Sequence, residues 1–127
     1  MIDITSRTPD CKIRAYDTGE IVISASLAKR MDIIEGDRVQ ILMQDSGGFP
    51  ELFISKTSNS FSGLETKCRS KGDRSLRIFS KRAAGIILKG KKKGLFRIGE
   101  MIQKDGVELH TIIYCKNHAE RKEVCTI

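Results

Sequence analysis

The chain of 127 residues contains two similar segments, and this internal repeat limits what it can fold into. The offset between matching residues is 54 to 57 positions and changes only where turns are expected, which is where insertions are tolerated. Residues 12–14 align with 67–69, 20–23 with 75–78, 28 with 83, 33–36 with 87–90, 39–41 with 96–98 and 51–52 with 108–109.

Each segment has the same predicted order of strand, strand, short helix, strand and strand. In the first, strands are predicted at 11–16, 20–24, 38–44 and 51–55, with a loop at 45–50 and a helix capped by Ser24 or Ser26. In the second, strands are predicted at 65–70, 75–79, 95–102 and 107–114, with a helix at 80–87 capped by Ser80 and a loop at 89–94. Asp17-Thr18-Gly19 and Asp105-Gly106 are typical of hairpin turns.

These elements predict one domain over residues 1–127. The first repeat covers about 11–56, a linker 57–63, the second repeat about 64–114, and a charged tail 115–127. Four strands with one short helix leave a sheet face uncovered, whereas two such units can interleave into a closed barrel without exposed edges. We therefore expect a mainly β fold with short helices, in which two ββαββ repeats form a barrel with pseudo-two-fold symmetry.

Charge is distributed unevenly between the two halves. Residues 1–57 hold 7 basic and 9 acidic residues, and the remainder holds 16 basic and 7 acidic, within a formal net charge of +7. Such asymmetry is expected when one surface meets a polyanion, although a solvated lysine-rich face would give the same composition. The chain shows no signal peptide and no apolar run near the ~18–20 residues that cross a bilayer, so we expect a cytoplasmic protein without a membrane partner.

The segment from Gly19 to Leu42 resembles the AbrB-type looped-hinge DNA-binding module. The resemblance lies in the hairpin Gly, the strand before a short basic helix, and the Gly36-Asp37-Arg38-Val39 stretch that leads into the next strand. The family's Arg after the hairpin glycine is replaced here by Glu20, and its Pro before the helix by Ala25. The resemblance implies a cradle-loop barrel, in the swapped-hairpin or the related double-psi form, and a DNA-binding transcriptional regulator.

The family uses basic residues on the hairpin and beside the helix, and the matching positions here are the candidate contacts to duplex DNA. Lys91-Lys92-Lys93, between two glycines, is interpreted as a mobile cationic loop on phosphates, and Arg69, Arg74 and Arg77 as candidates for base contacts. The complete set is Arg14, Lys29, Arg30, Arg38, Lys67, Arg69, Arg74, Arg77, Lys81, Arg82, Lys91, Lys92 and Lys93.

Other chemistry is sparse. Cys115, His118 and Cys125, with Cys11 or Cys68 as a fourth ligand, have a spacing that could hold zinc, but no paired Cys-x2-Cys pattern is present, and we expect no metal or cofactor. No phosphate-binding loop, dinucleotide fingerprint or zinc-protease motif is found, so we expect no enzyme. The alternative to DNA binding is a non-enzymatic barrel module for protein interaction or assembly, of mobile-element or phage origin, and a homodimer is compatible with either reading.

Overall fold

The strands of the protein belong to one antiparallel sheet in the computed structural model, which describes residues 11–59, 61–68 and 74–115. The first unit contains β1 (Lys12–Tyr16), β2 (Glu20–Ile23), α1 (Ala25–Arg30), β3 (Arg38–Ser46) and β4 (Phe49–Thr57). The second contains β5 (Leu64–Glu65), β6 (Lys67–Cys68), β7 (Leu76–Phe79), α2 (Lys81–Leu88), β8 (Lys93–Lys104) and β9 (Val107–Cys115). No helix in the described ranges has the length and hydropathy needed to cross a membrane.

The sheet nearly closes into a barrel. Its strand order is β5-β3-β4-β9-β8-β1-β2-β7-β6. The two outermost strands, β5 and β6, are consecutive in the chain and are separated by Thr66 alone, so the two edges of the sheet meet there. This confirms the predicted mainly β barrel with short helices.

Hairpins from the two units alternate around the barrel. The β1–β2 hairpin lies between β7 and β8 of the second unit, and the β3–β4 hairpin lies between β5 and β9. Each unit therefore fills the gaps between the hairpins of the other, and neither can bury its apolar residues alone. This interleaving of antiparallel hairpins fits the swapped-hairpin form of the cradle-loop barrel.

The two helices begin in the same way. Ser24 Oγ accepts a hydrogen bond from Leu27 N at 3.2 Å, and Ser80 Oγ accepts one from Ala83 N at 3.1 Å, so both serines are N-caps. The caps are 56 positions apart, one more than the offset of 55 that aligned residue 28 with residue 83. Ala28 therefore corresponds to Ala84, which is fully buried, rather than to Ala83.

The strand predicted at 65–70 is interrupted at Thr66. Thr66 Oγ1 donates to the carbonyl oxygens of Asp37 at 2.8 Å and Ile34 at 3.1 Å, and its backbone N–H also bonds to Asp37 O. These bonds satisfy a buried threonine but divide the strand into β5 and β6. As a result Cys68 is exposed, although the sequence alignment placed it on the fully buried Ile13.

The β3–β4 and β8–β9 hairpins are longer than predicted. The expected loop at 45–50 reduces to Gly47 and Gly48, both with positive φ, and Asp105-Gly106 forms the predicted turn between β8 and β9. Within the described chain, β3 pairs with β5 only at Arg38 and Val39. Residues 40–46 of β3 therefore pair with β4 on one side and with no described strand on the other.

The core contains residues of both units. Ile21 and Ile23 of β2 and Ile78 of β7 are at most 1% exposed, and α2 adds Ala84, Ile87 and Leu88 from its inner side. Phe96 of β8 is the largest fully buried side chain. Truncating such a side chain typically costs about 3–5 kcal/mol of unfolding free energy, so the barrel interior is the main source of stability.

Candidate nucleic-acid interface

One outer face of the barrel is formed by the adjacent strands β8, β1, β2, β7 and β6. In β1, Ile13 and Ala15 are buried in the core, so the alternate residues Lys12 and Arg14 lie on the outside. The same alternation operates in β8 and β7. We call the outward basic residues of these strands the cationic face: Lys12, Arg14, Lys67, Arg77, Lys93 and Arg97.

The strand register places cations directly opposite one another on this face. Lys12 of β1 pairs with Arg97 of β8, and Lys67 of β6 pairs with Arg77 of β7. Residues directly opposite in an antiparallel pair have Cβ atoms about 4.5–5.5 Å apart, and like charges there are destabilising. Strand pairing therefore concentrates positive charge on this part of the sheet.

More lysines lie beside the β1–β2 turn. Asp17 N donates to Lys92 O at 2.9 Å, and Ser80 N donates to Gly19 O at 2.9 Å, which fixes the turn against α2 and the start of β8. Gly19 has φ +102°, and a Cβ added to it would lie 3.0 Å from Lys81 Cγ. Only glycine suits this position, and its close packing brings Lys81 and Lys92 next to the cationic face.

Lys91 has a local partner of its own. Its Nζ bonds to Tyr114 Oη and lies 4.4 Å from the centroid of that ring. Lys93, the third lysine, is the first residue of β8 and pairs with Tyr16. The predicted six-residue loop is therefore wrong in extent, because Lys93 is part of the sheet and Lys91 is attached to β9.

Arg77, in β7 of the cationic face, has an acidic neighbour on the central strand β2. Its Nη1 is 3.5 Å from Glu20 Oε2, and its guanidinium lies 5.4 Å from the centroid of the Phe79 ring. Its Nε is buried without a hydrogen-bond partner in the described chain. Glu20 thus reduces the positive charge at the middle of this face.

Several candidate contacts lie elsewhere. Arg38 donates from Nε to Ser62 O at 3.0 Å and from Nη2 to Gly63 O at 2.8 Å, so it holds the chain entering β5. Arg30, at the end of α1 beside the exposed Lys29, donates to Gly99 O at 2.9 Å. Lys29 and Arg30 belong to α1 and not to the strands that form the cationic face.

The remaining candidates divide between three places. Arg82 lines a separate groove between α2 and β3. Arg74 is exposed just before β7 and borders the cationic face. Arg69 lies outside the described residues.

Lys12 and Arg97 belong to the cationic face but were missed by the sequence prediction. Both occupy outward positions in alternating strands, and that alternation is visible in the sequence. What the sequence does not show is that β1 pairs with β8, some 80 residues later, and brings the two cations together.

Acidic residues dominate the parts of the long hairpins away from the cationic face. Residues 99–109 contain Glu100, Asp105 and Glu108 against Lys104 alone, and residues 40–52 contain Asp45 and Glu51 with no basic residue. Acidic and basic residues therefore concentrate on different parts of the barrel, and the lysines are not distributed evenly over its surface.

The proposed zinc ligands are not brought together by any described element. His118 and Cys125 lie outside the described residues, as does the side chain of Cys115, while Cys11 is half-buried and Cys68 exposed. Among residues 11–59, 61–68 and 74–115, no three His, Cys, Asp or Glu side chains form a group that could hold a metal. The buried His110 has its pKa lowered by desolvation, with a smaller contribution from the positive charge of Arg30.

Comparison of the chain with protein-family models, with curated proteins and with solved structures finds no match.

Proposed function

We propose that this protein binds duplex DNA through the cationic face, as an AbrB-like DNA-binding protein and transcriptional regulator. The observation that carries the proposal is the set of cations that strand pairing brings onto one continuous sheet surface, with Lys12 opposite Arg97 and Lys67 opposite Arg77. Strand pairing gathers these cations on one surface of the barrel. A ligand with regularly spaced negative charges would bind there, because each neutralised phosphate releases condensed counterions.

The size of the face suits a double helix. Arg14 of β1, Arg77 of β7 and Lys67 of β6 follow one another across a row of the sheet, with Val22 of β2 between the first two. Neighbouring strands are about 4.8 Å apart, so this row is about 15 Å long. The major groove of B-DNA is about 12 Å wide. The cations of the row, Arg77 among them, would contact phosphates on both sides of a groove.

The test measures salt-dependent binding. Fluorescence anisotropy with a random-sequence duplex, recorded from low to physiological salt, should show affinity that falls linearly on logarithmic axes. Arg14→Ser and Arg97→Ser should each reduce the magnitude of the slope by about 0.9 for each phosphate contact that is lost. Lys104→Ser removes the same charge from the β8–β9 hairpin, away from the cationic face, and should leave the slope unchanged.

Two results would exclude the proposal. One is an absence of binding at low salt by the natural chain. The other is an equal effect of Lys104→Ser and Arg97→Ser, because binding would then follow net charge rather than this surface. Circular dichroism of each variant establishes that the fold is kept.

A protein-interaction module remains the second candidate function, and one observation favours it. A groove of about 470 Å³ lies between β3 and α2, with Ile41, Met43, Leu64 and Ile86 among its lining residues. Met43 is 58% exposed and Ile86 is 41% exposed. Contiguous apolar surface of this kind is typical of binding sites for other polypeptides.

A further inference from the structure

The groove between β3 and α2 combines an apolar lining with an open strand edge. Beyond Val39, where pairing with β5 ends, residues 40–46 of β3 pair with β4 on one side, and the described chain supplies no strand on the other. Gln40, Ile41 and Leu42 of this edge line the groove directly. Their backbone N–H and C=O groups on that side are available to an added strand.

The equivalent position in the other half of the barrel is closed. Arg30 stands six residues after the cap Ser24, and its guanidinium donates to the carbonyl of Gly99 on the outer part of β8. Six residues after the second cap, Ser80, stands Ile86. One pseudo-equivalent strand edge is therefore covered by a charged side chain, and the other faces an exposed apolar one.

This difference points to a ligand rather than to an unprotected surface. Natural sheets protect free edges with charged residues, because an uncharged edge promotes uncontrolled pairing. Residues 40–44 of this edge carry no charge and include the exposed Met43, and Asp45 follows only next to the hairpin turn, whereas the corresponding stretch of β8 contains Glu100. An uncharged strand edge beside an apolar helix surface is expected where a strand of a partner pairs with that edge.

We infer that the groove binds an extended peptide segment of another protein, which adds a strand to β3 and places alternate apolar side chains against Ile86 and Ile41. Among the lining residues Arg82 alone is charged. The bound segment should therefore carry a carboxylate that reaches Arg82. This inference does not depend on DNA binding, since it uses neither Lys12, Arg14 nor Arg97.

The experiment uses a phage-displayed library of random dodecapeptides selected on the full-length protein, with a parallel selection on Ile86→Arg. That substitution introduces into the groove the residue type that covers the other edge. We expect enriched clones with alternating apolar residues and an Asp or Glu. A synthetic peptide from the leading clone should bind Ile86→Arg at least tenfold more weakly, and Arg82→Gln about tenfold more weakly.

Ile102→Arg is the matched control, because Ile102 is 44% exposed on the β8–β9 hairpin and lies outside the groove. It should bind the peptide like the natural chain. Amide hydrogen exchange over residues 40–44 should slow when the peptide is bound, as strand addition requires.

Three results would overturn the inference. The first is no enrichment over the Ile86→Arg selection. The second is a peptide that binds both arginine variants equally or leaves the exchange of residues 40–44 unchanged. The third is a concentration-dependent dimer in sedimentation that Ile86→Arg dissociates, because a second copy of this chain would then be the occupant.

Discussion

Glu20→Gln is the substitution that tests the charge argument most directly, because it should strengthen DNA binding. The Glu20 carboxylate lies 3.5 Å from Arg77 Nη1, and the two side chains are 20% and 35% exposed. An ion pair this accessible to water contributes about 0–1 kcal/mol to folding. The variant should therefore lose less than about 1 kcal/mol of unfolding free energy and keep its fold.

The gain in affinity has two sources. A carboxylate about 6 Å from a bound phosphate repels it by about 0.7 kcal/mol in water, which corresponds to about a threefold change in the dissociation constant. Freeing Arg77 also allows one more phosphate contact, which makes the slope of log affinity against log salt steeper by about 0.9. Anisotropy titrations of one random duplex at four salt concentrations measure both quantities.

Glu108→Gln is the matched control, since it changes the net charge equally but lies on the acidic β8–β9 hairpin. Glu108→Gln should raise the affinity for DNA only slightly, as any increase in net charge does, and should leave the slope of log affinity against log salt unchanged. If both variants strengthen binding equally, the interaction is a net-charge effect. If Glu20→Gln weakens binding, Glu20 itself contributes to the complex and the role assigned to Arg77 is wrong.

Three further predictions concern stability and are measured by urea denaturation. Ser24→Ala should lower the unfolding free energy by about 2 kcal/mol and Ser80→Ala by about 1 kcal/mol. The difference is expected because the Ser24 hydroxyl also accepts a hydrogen bond from the backbone of β1 at 3.0 Å. Equal losses would contradict this explanation. Gly48→Ala should lower the unfolding free energy by roughly 1 kcal/mol, because alanine is strained at a positive φ although there is open space around Gly48. Gly63→Ala should lower it by more, because the added Cβ would also lie 2.6 Å from a carbonyl oxygen of β3. His110 has a lowered pKa in the fold, so the unfolded chain binds protons more readily, and stability should fall as pH decreases below about 6.5; His110→Leu should remove this pH dependence.

Local features of the fold could be predicted from the sequence where short-range chemistry determines them. Ser24 and Ser80 cap the helices, and Asp105-Gly106 makes the turn, because each depends on neighbours a few residues away. The prediction of a loop at 45–50 is wrong in extent, because Pro50 lies in a strand. It is the second residue of β4, in the outer part of the hairpin, where an open edge tolerates a missing N–H.

The candidate interface depended on long-range pairing and could be predicted only in part. The sequence gives the excess of cations in the second half, but it does not show which of them share a surface. Arg38 illustrates the difficulty: it matches a basic position of the DNA-binding module, yet its guanidinium holds the chain before β5. Lys12, in contrast, was not predicted as a candidate contact, and it belongs to the cationic face because β1 pairs with β8.

Joining two units in one chain allows what a symmetric dimer does not. At the centre of the barrel β2 pairs with β7, and Arg77 lies directly opposite Val22. If two copies of the second unit paired in this way, Arg77 would face another Arg77 across the two-fold axis, and the like charges would oppose assembly. With valine in the first unit, a single arginine occupies the axis. The same freedom places Arg30 in one half and Ile86 in the other, so that one strand edge is covered while no described strand pairs with its counterpart.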